Sequence, residues 1–162
     1  MKKLISAILA AAMALSLAAC GGSSKADAKE YNLDDVVSAI EASNAVSNPR
    51  EIDDFAFENE FLLNKENVVA YKGIMSNDQG NSALIMVVQA ASGKAADVKA
   101  ALETYKQNQV AYYGNYAEFA EGQALIQDGR VVDKGDYVVI VFANTEGASY
   151  SDIDSAISKA LD

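Results

Sequence analysis

Apolar positions recur along this chain in several distinct rhythms. Leu4 to Ala19 is an apolar run broken only by Ser6 and Ser16, with Lys2 and Lys3 ahead of it. A basic start followed by a short apolar core is the pattern of a secretory signal. The run is short for a membrane-spanning helix, which needs about 20 apolar residues. From Leu33 the rhythm becomes helical: Leu33, Val36, Val37 and Ile40 share one face, Asn32 stands at the capping position, and Pro49 bounds the segment. Val68–Met75 and Ala83–Ala91 read as strands joined by the turn formers Ser76–Gly80, with Leu84–Val88 apolar enough to be an inner strand. Lys94 to about Tyr113 reads as the longest helix. Gly114 interrupts it, and Asn115 with Glu118 suggests a capping box opening a second helix that stops at a left-handed Gly129. Arg130–Val132 and Tyr137–Asn144 read as a second hairpin around Asp133–Asp136. A last helix is expected with Ser151 as its cap and a stripe of Ile153, Ala156, Ile157, Ala160 and Leu161.

The order is therefore α-β-β-α-α-β-β-α. It implies an α+β, two-layer fold: a mostly antiparallel four-stranded sheet with helices packed on one face. The organisation expected is a cleaved signal over 1–19, a lipidated Cys and flexible tether over 20–30, and a single domain over 31–162. A domain of that size buries a core without disulfide or metal staples.

Composition narrows the chemistry. The chain has 162 residues, 13 Lys+Arg against 23 Asp+Glu, no His and one Cys. Without His there is no Ser-His-Asp or Cys-His machinery, and one Cys forms no internal disulfide and no Cys-rich metal site. A net charge of −10 argues against nucleic-acid binding, which needs a basic surface. No cofactor is expected.

The apolar run ends in Leu17-Ala18-Ala19-Cys20, followed by Gly21-Gly22-Ser23-Ser24. This is similar to a bacterial lipobox, with cleavage between Ala19 and Cys20 and a diacylglyceryl thioether, carrying palmitate-class chains, on the Cys20 sulfur. The alternative is an ordinary cleaved signal with a chance Cys. Two acyl chains on one residue suffice for stable anchoring, each buried methylene contributing about 0.8 kcal/mol. Cleavage would remove two lysines and leave a more acidic body, repelled by anionic lipid. The expected location is the extracytoplasmic face of the cell membrane.

Two side-chain groups invite function. Asp53, Asp54, Glu58 and Glu60 could hold calcium, but the spacing lacks the Asp-x-Asp-x-Asp-Gly loop with a distal Glu. The plainer reading is an acidic loop with Ile52, Phe55, Phe57 and Phe61 turned to the core, and no metal site is assigned. Tyr112, Tyr113, Tyr116 and Phe119 gather where two helices meet. They form either an aromatic contact surface, with glycan as one candidate ligand, or rings wedging the junction onto the sheet.

From about Val68 the chain resembles the bacterial lipoprotein family known as domain of unknown function 4358. The residues that carry the resemblance are the Ala-Leu-Ile-Met-Val-Val strand from Ala83, the Lys-rich helix from Lys94 and the Tyr-rich segment Tyr112–Phe119. The Lys134-Gly135-Asp136-Tyr137 turn and the strand and helix after it complete them. The resemblance implies a lipoprotein of Gram-positive, clostridia-like bacteria and assigns no catalytic residues. Members often carry an acidic residue just before the second hairpin strand, where Asn81-Ser82 stands here.

The function expected is a membrane-anchored, non-enzymatic envelope module that binds a protein or a cell-wall polymer. The alternatives are a small carboxylate-dependent hydrolase and a solute-binding accessory protein. Two ordinary lobes of a ligand clamp would need more chain than this.

Overall fold

The computed structural model describes residues 29–162. Helix α1 (Leu33–Glu41) is capped by Asn32, whose side chain accepts from the Asp34 and Asp35 amides. Strand β1 (Pro49–Glu51) and helix α2 (Asp54–Asn59) follow. A 3-10 turn (Lys65–Asn67) leads into β2 (Val68–Ser76) and β3 (Leu84–Ala90). Then come α3 (Ala95–Tyr113), a 3-10 turn (Ala117–Phe119), α4 (Ala120–Gln127), β4 (Arg130–Lys134), β5 (Tyr137–Phe142) and α5 (Tyr150–Ala160).

The sheet has five strands in the order β1-β2-β3-β5-β4, every pair antiparallel. Two of its expected features are corrected. The strand missed is β1. It is three residues long, opens on Pro49 and lies at the sheet edge, where a proline costs no ladder bond. The helices lie on both faces, not one. Strands β3 and β5 are buried along almost their whole length, so each presents apolar side chains alternately to two covered faces. Leu84, Met86, Val88, Val138, Ile140 and Phe142 pack with Phe57 of α2, Leu102 and Tyr105 of α3 and Ile126 of α4. Ile85, Val87, Val139 and Val141 face Val36, Val37 and Ile40 of α1 and Ile153 and Ile157 of α5. The element order becomes α-β-α-β-β-α-α-β-β-α.

Several local expectations also change. The acidic stretch is ordered as β1 and α2, with Asp53 capping the helix by accepting from the Ala56 amide at 2.8 Å. Asn115 caps nothing: Tyr116 enters a single 3-10 turn without a side-chain cap. Helix α5 starts at Tyr150, earlier than a Ser151 cap would allow. The Tyr150 hydroxyl accepts from the Ala143 amide and donates to the Leu125 carbonyl, and this fixes the first turn. Gly129 has no left-handed backbone. Its glycine is sterically required, because a Cβ there would lie 2.5 Å from the Phe142 ring and 2.8 Å from the Ile126 carbonyl oxygen.

The pairing gives the sheet two ends. Val68 pairs with Ala90, Gln89 with Tyr137, and Tyr137 with Lys134, so these residues mark one end. Tyr31 is tied there: its amide donates to the Tyr137 hydroxyl at 3.2 Å, and its own hydroxyl donates to the Leu161 carbonyl. At the opposite end Met75 pairs with Leu84, and Leu84 with Phe142. Helix α3, 19 residues and about 28 Å long, carries the chain from the first end to the second.

Candidate aromatic cleft

The second end holds a small cleft of about 170 Å³ between the β2–β3 connection, α3 and α4. Tyr112, Tyr113 and Phe119 of the cluster singled out in the sequence line it, and Tyr116 packs against Tyr112 and Phe119 beside it. The rings form a closed circuit: Tyr112 to Tyr113 at 5.9 Å, Tyr113 to Phe119 at 5.4 Å, Phe119 to Tyr116 at 5.3 Å and Tyr116 to Tyr112 at 5.6 Å. All four contacts are edge-on or tilted, as ring quadrupoles prefer. Tyr112 and Tyr116 remain 53 % and 42 % exposed, so the circuit is half wedge and half surface. The structure thus brings Tyr112, Tyr113 and Tyr116 together, with Tyr113 half-buried and the other two exposed.

Two glycines let the connection close on these rings. Gly80 sits at φ +81, and a Cβ on it would come 3.0 Å from the Phe119 ring. A Cβ on Gly122 would lie 2.8 Å from the Tyr113 ring and 3.0 Å from the Gly80 carbonyl. The Tyr113 hydroxyl donates to the Asn81 carbonyl at 3.2 Å, fastening α3 to the connection. Burial, with Tyr112 second, pushes the Tyr113 phenol up.

The other wall is polar. Asp78 accepts from the Ser47 hydroxyl at 2.8 Å and the Asn48 amide at 2.9 Å. The Asn48 bond first and the Ser47 bond second hold its carboxyl below the ordinary value. Asn48 itself sits at φ +44, a conformation Asn tolerates. Asn81 is structural, its side chain accepting from the Ala83 amide at 2.9 Å and donating to the Ser47 hydroxyl at 3.1 Å. Ser82 donates to the Ala143 carbonyl at 2.7 Å. The position before the second hairpin strand is therefore spent on holding the connection, and the carboxylate of this region is Asp78.

Tyr105, which the sequence does not single out, forms part of the lining. It is 5 % exposed, and its ring stacks on Phe61 at 4.2 Å. None of the hydrogen bonds among the described residues involves its hydroxyl. Burial first, and Glu60 second, drive its pKa upward, so the phenol stays protonated. Gln109, one turn on along α3, also reaches the cleft.

Of the acidic group Asp53, Asp54, Glu58 and Glu60, only Asp54 and Glu58 meet, both on the Lys65 ammonium. Asp53 caps α2, Asp54 accepts from the Tyr71 hydroxyl at 2.5 Å, Glu58 pairs with Lys65, and Glu60 pairs with Arg50 at 2.6 Å. Among the described residues no group of three or more potential metal ligands comes together. Ala19, Cys20, the signal segment and the tether to Ala28 lie outside the described residues. Among the described residues no helix is long and apolar enough to cross a membrane.

One family model, described as Domain of unknown function (DUF4358), matches residues 41–143. The matched segment opens at the end of α1, upstream of Val68, and closes just after β5. It contains the whole sheet and the whole cleft. No curated protein and no solved structure shows significant similarity to the chain.

Proposed function

The chain belongs to the DUF4358 family, and on that premise we propose that it is a lipid-anchored, extracytoplasmic module that binds an envelope partner without catalysing a reaction. The observation that carries this reading is the aromatic circuit: Tyr112 and Tyr116 are exposed, and Tyr112 lines a cleft with a polar far wall. Exposed tyrosines offer large contact area at low entropic cost and a hydroxyl for water or partner. The anchor is Cys20, supported by the basic start, the apolar run and the Leu-Ala-Ala-Cys sequence.

The alternatives have weaker support. Carboxylate-dependent glycoside hydrolysis uses two carboxyl groups flanking one bond, at about 5–10 Å. Asp78 is the one carboxylate lining this cleft among the described residues, and both its oxygens are engaged. A solute clamp closes two lobes on its ligand, whereas residues 29–162 build one sheet covered on both faces.

The test is site-specific photo-crosslinking in the native cell, with a photoreactive phenylalanine replacing Tyr112 or Tyr116 in the full-length protein. Discrete adducts are expected from both positions and none from Glu66, at the other end of the sheet. Absence of adducts from 112 and 116 overturns the binding role of this surface.

A further inference from the structure

We infer that the aromatic cleft receives a basic side chain, an arginine or lysine of a partner protein. The inference rests on the binding role proposed above and names the chemistry of the partner.

Size is the first argument. Pockets for free small ligands run to about 300–1,000 Å³. At about 170 Å³ this cleft suits the end of one side chain, not a run of sugar rings. Charge is the second. The segments that build this end, 41–48, 76–83, 107–129 and 143–149, contain Glu41, Asp78, Glu118, Glu121, Asp128 and Glu146, and no Lys or Arg. The cations that border them are already engaged: Arg50 with Glu60, Lys106 with Glu103 and Arg130 with Asp154. Helix α3 also ends here with no basic residue in its last turn, so the negative end of its dipole is uncompensated.

The lining is the third argument. Tyr105 lines the cleft, and its hydroxyl, which is open to solvent and makes no hydrogen bond among the described residues, can accept from an ammonium or guanidinium. The face of Tyr112 attracts a cation through its quadrupole, and Asp78 adds a fixed negative charge. The protein already uses this combination elsewhere. The Arg130 guanidinium lies 4.4 Å from the centre of the Tyr150 ring while its Nε and Nη2 donate to Asp154 at 2.7 and 3.0 Å.

The decisive experiment titrates the lipidated full-length chain, in nonionic detergent micelles, with a capped Gly-Ser-Arg-Ser-Gly peptide. Its citrulline counterpart serves as the neutral probe, and ring-proton shifts of the tyrosines are the readout. The arginine peptide is expected to saturate shifts at Tyr105 and Tyr112, and to weaken as salt rises from about 0.02 to 0.3 M. The citrulline peptide should bind at least about five-fold more weakly, as should the arginine peptide to Tyr112→Ala and to Tyr105→Phe. Tyr105→Phe keeps the ring and so keeps the fold. Equal binding of the two peptides, or binding indifferent to both substitutions, overturns the inference. The crosslinked segments separate its failure from that of the binding role. Adducts from 112 and 116 on non-basic segments or on glycan sink the cationic partner alone, and the absence of any adduct sinks both.

Discussion

Asn44→Ala should be among the most damaging single changes outside the apolar core. Asn44 is 0 % exposed, just past the C-terminus of α1. Its amide nitrogen donates to the Phe142 carbonyl at 2.9 Å, and its amide oxygen accepts from the Asn144 backbone at 2.8 Å. Asn144 reciprocates, donating to the Ala45 carbonyl and accepting from the Glu146 and Ala148 amides. The pair thus clamps α1, the end of β5 and the loop bearing Glu146. Truncating Asn44 strands one buried carbonyl and one buried amide. Each costs about 1–3 kcal/mol, so the loss is about 2–6 kcal/mol, a large part of the roughly 5–15 kcal/mol that such domains possess. An unfolding entropy of about 2.1 cal/mol/K per residue over residues 29–162 gives roughly 0.3 kcal/mol/K. The melting temperature should therefore fall by about 7–20 °C. Differential scanning calorimetry reads it directly, with the exposed Asn115→Ala as control. If Asn44→Ala melts no lower than that control, the clamp contributes nothing and the reasoning is wrong. A double-mutant cycle with Asn144→Ala should be less than additive, because the two side chains share the same loop.

Gly129→Ala should destabilise by about 1–3 kcal/mol in chemical denaturation, since its Cβ would press on Phe142. The same substitution at Gly93, whose φ is +77 but whose Cβ would meet nothing, isolates the smaller backbone cost. Acid should destabilise the domain. Asp54, Asp78, Asp133 and Asp162 all sit below their ordinary 3.8, so their contribution is complete above about pH 4 and is lost as pH falls through the lowered values. Circular dichroism between pH 6 and 2 should show melting temperature declining only below about pH 4, and a decline already centred near pH 6 would contradict it. Alkali acts with the opposite sign. Tyr105, Tyr113 and Tyr150 are raised above 10.0, chiefly by burial, so stability should be level below about pH 10 and fall above it. Phenolate absorbance should appear together with unfolding.

Four of the five described helices and the two hairpins were legible from apolar periodicity and turn residues, whereas the six-residue α2 reads in sequence as an acidic loop. Asn32 caps α1 as its sequence suggests. Strand β1 was not legible: three residues behind a proline carry no alternation to read. The cover on both faces was legible in the strands themselves, though the hairpin-and-helix order suggested helices on one face. Leu84–Val88 and Tyr137–Phe142 are apolar at every position, and a strand with two apolar faces requires cover on both. Of the cleft, the tyrosine cluster was visible as a run of rings. Tyr105 and Asp78 were not, because Tyr105 follows the apolar stripe of α3 and Asp78 sits in an ordinary turn sequence. What joins them is strand pairing across the sheet, which no local window contains.

The central claim is that this small acidic domain is tied to a bilayer through Cys20. Mass spectrometry of the protein purified from its native membrane tests it most directly. The account expects a mature chain beginning at Cys20 with a diacylglyceryl group on its sulfur. A free thiol at Cys20, or a chain that still begins at Met1, would contradict it.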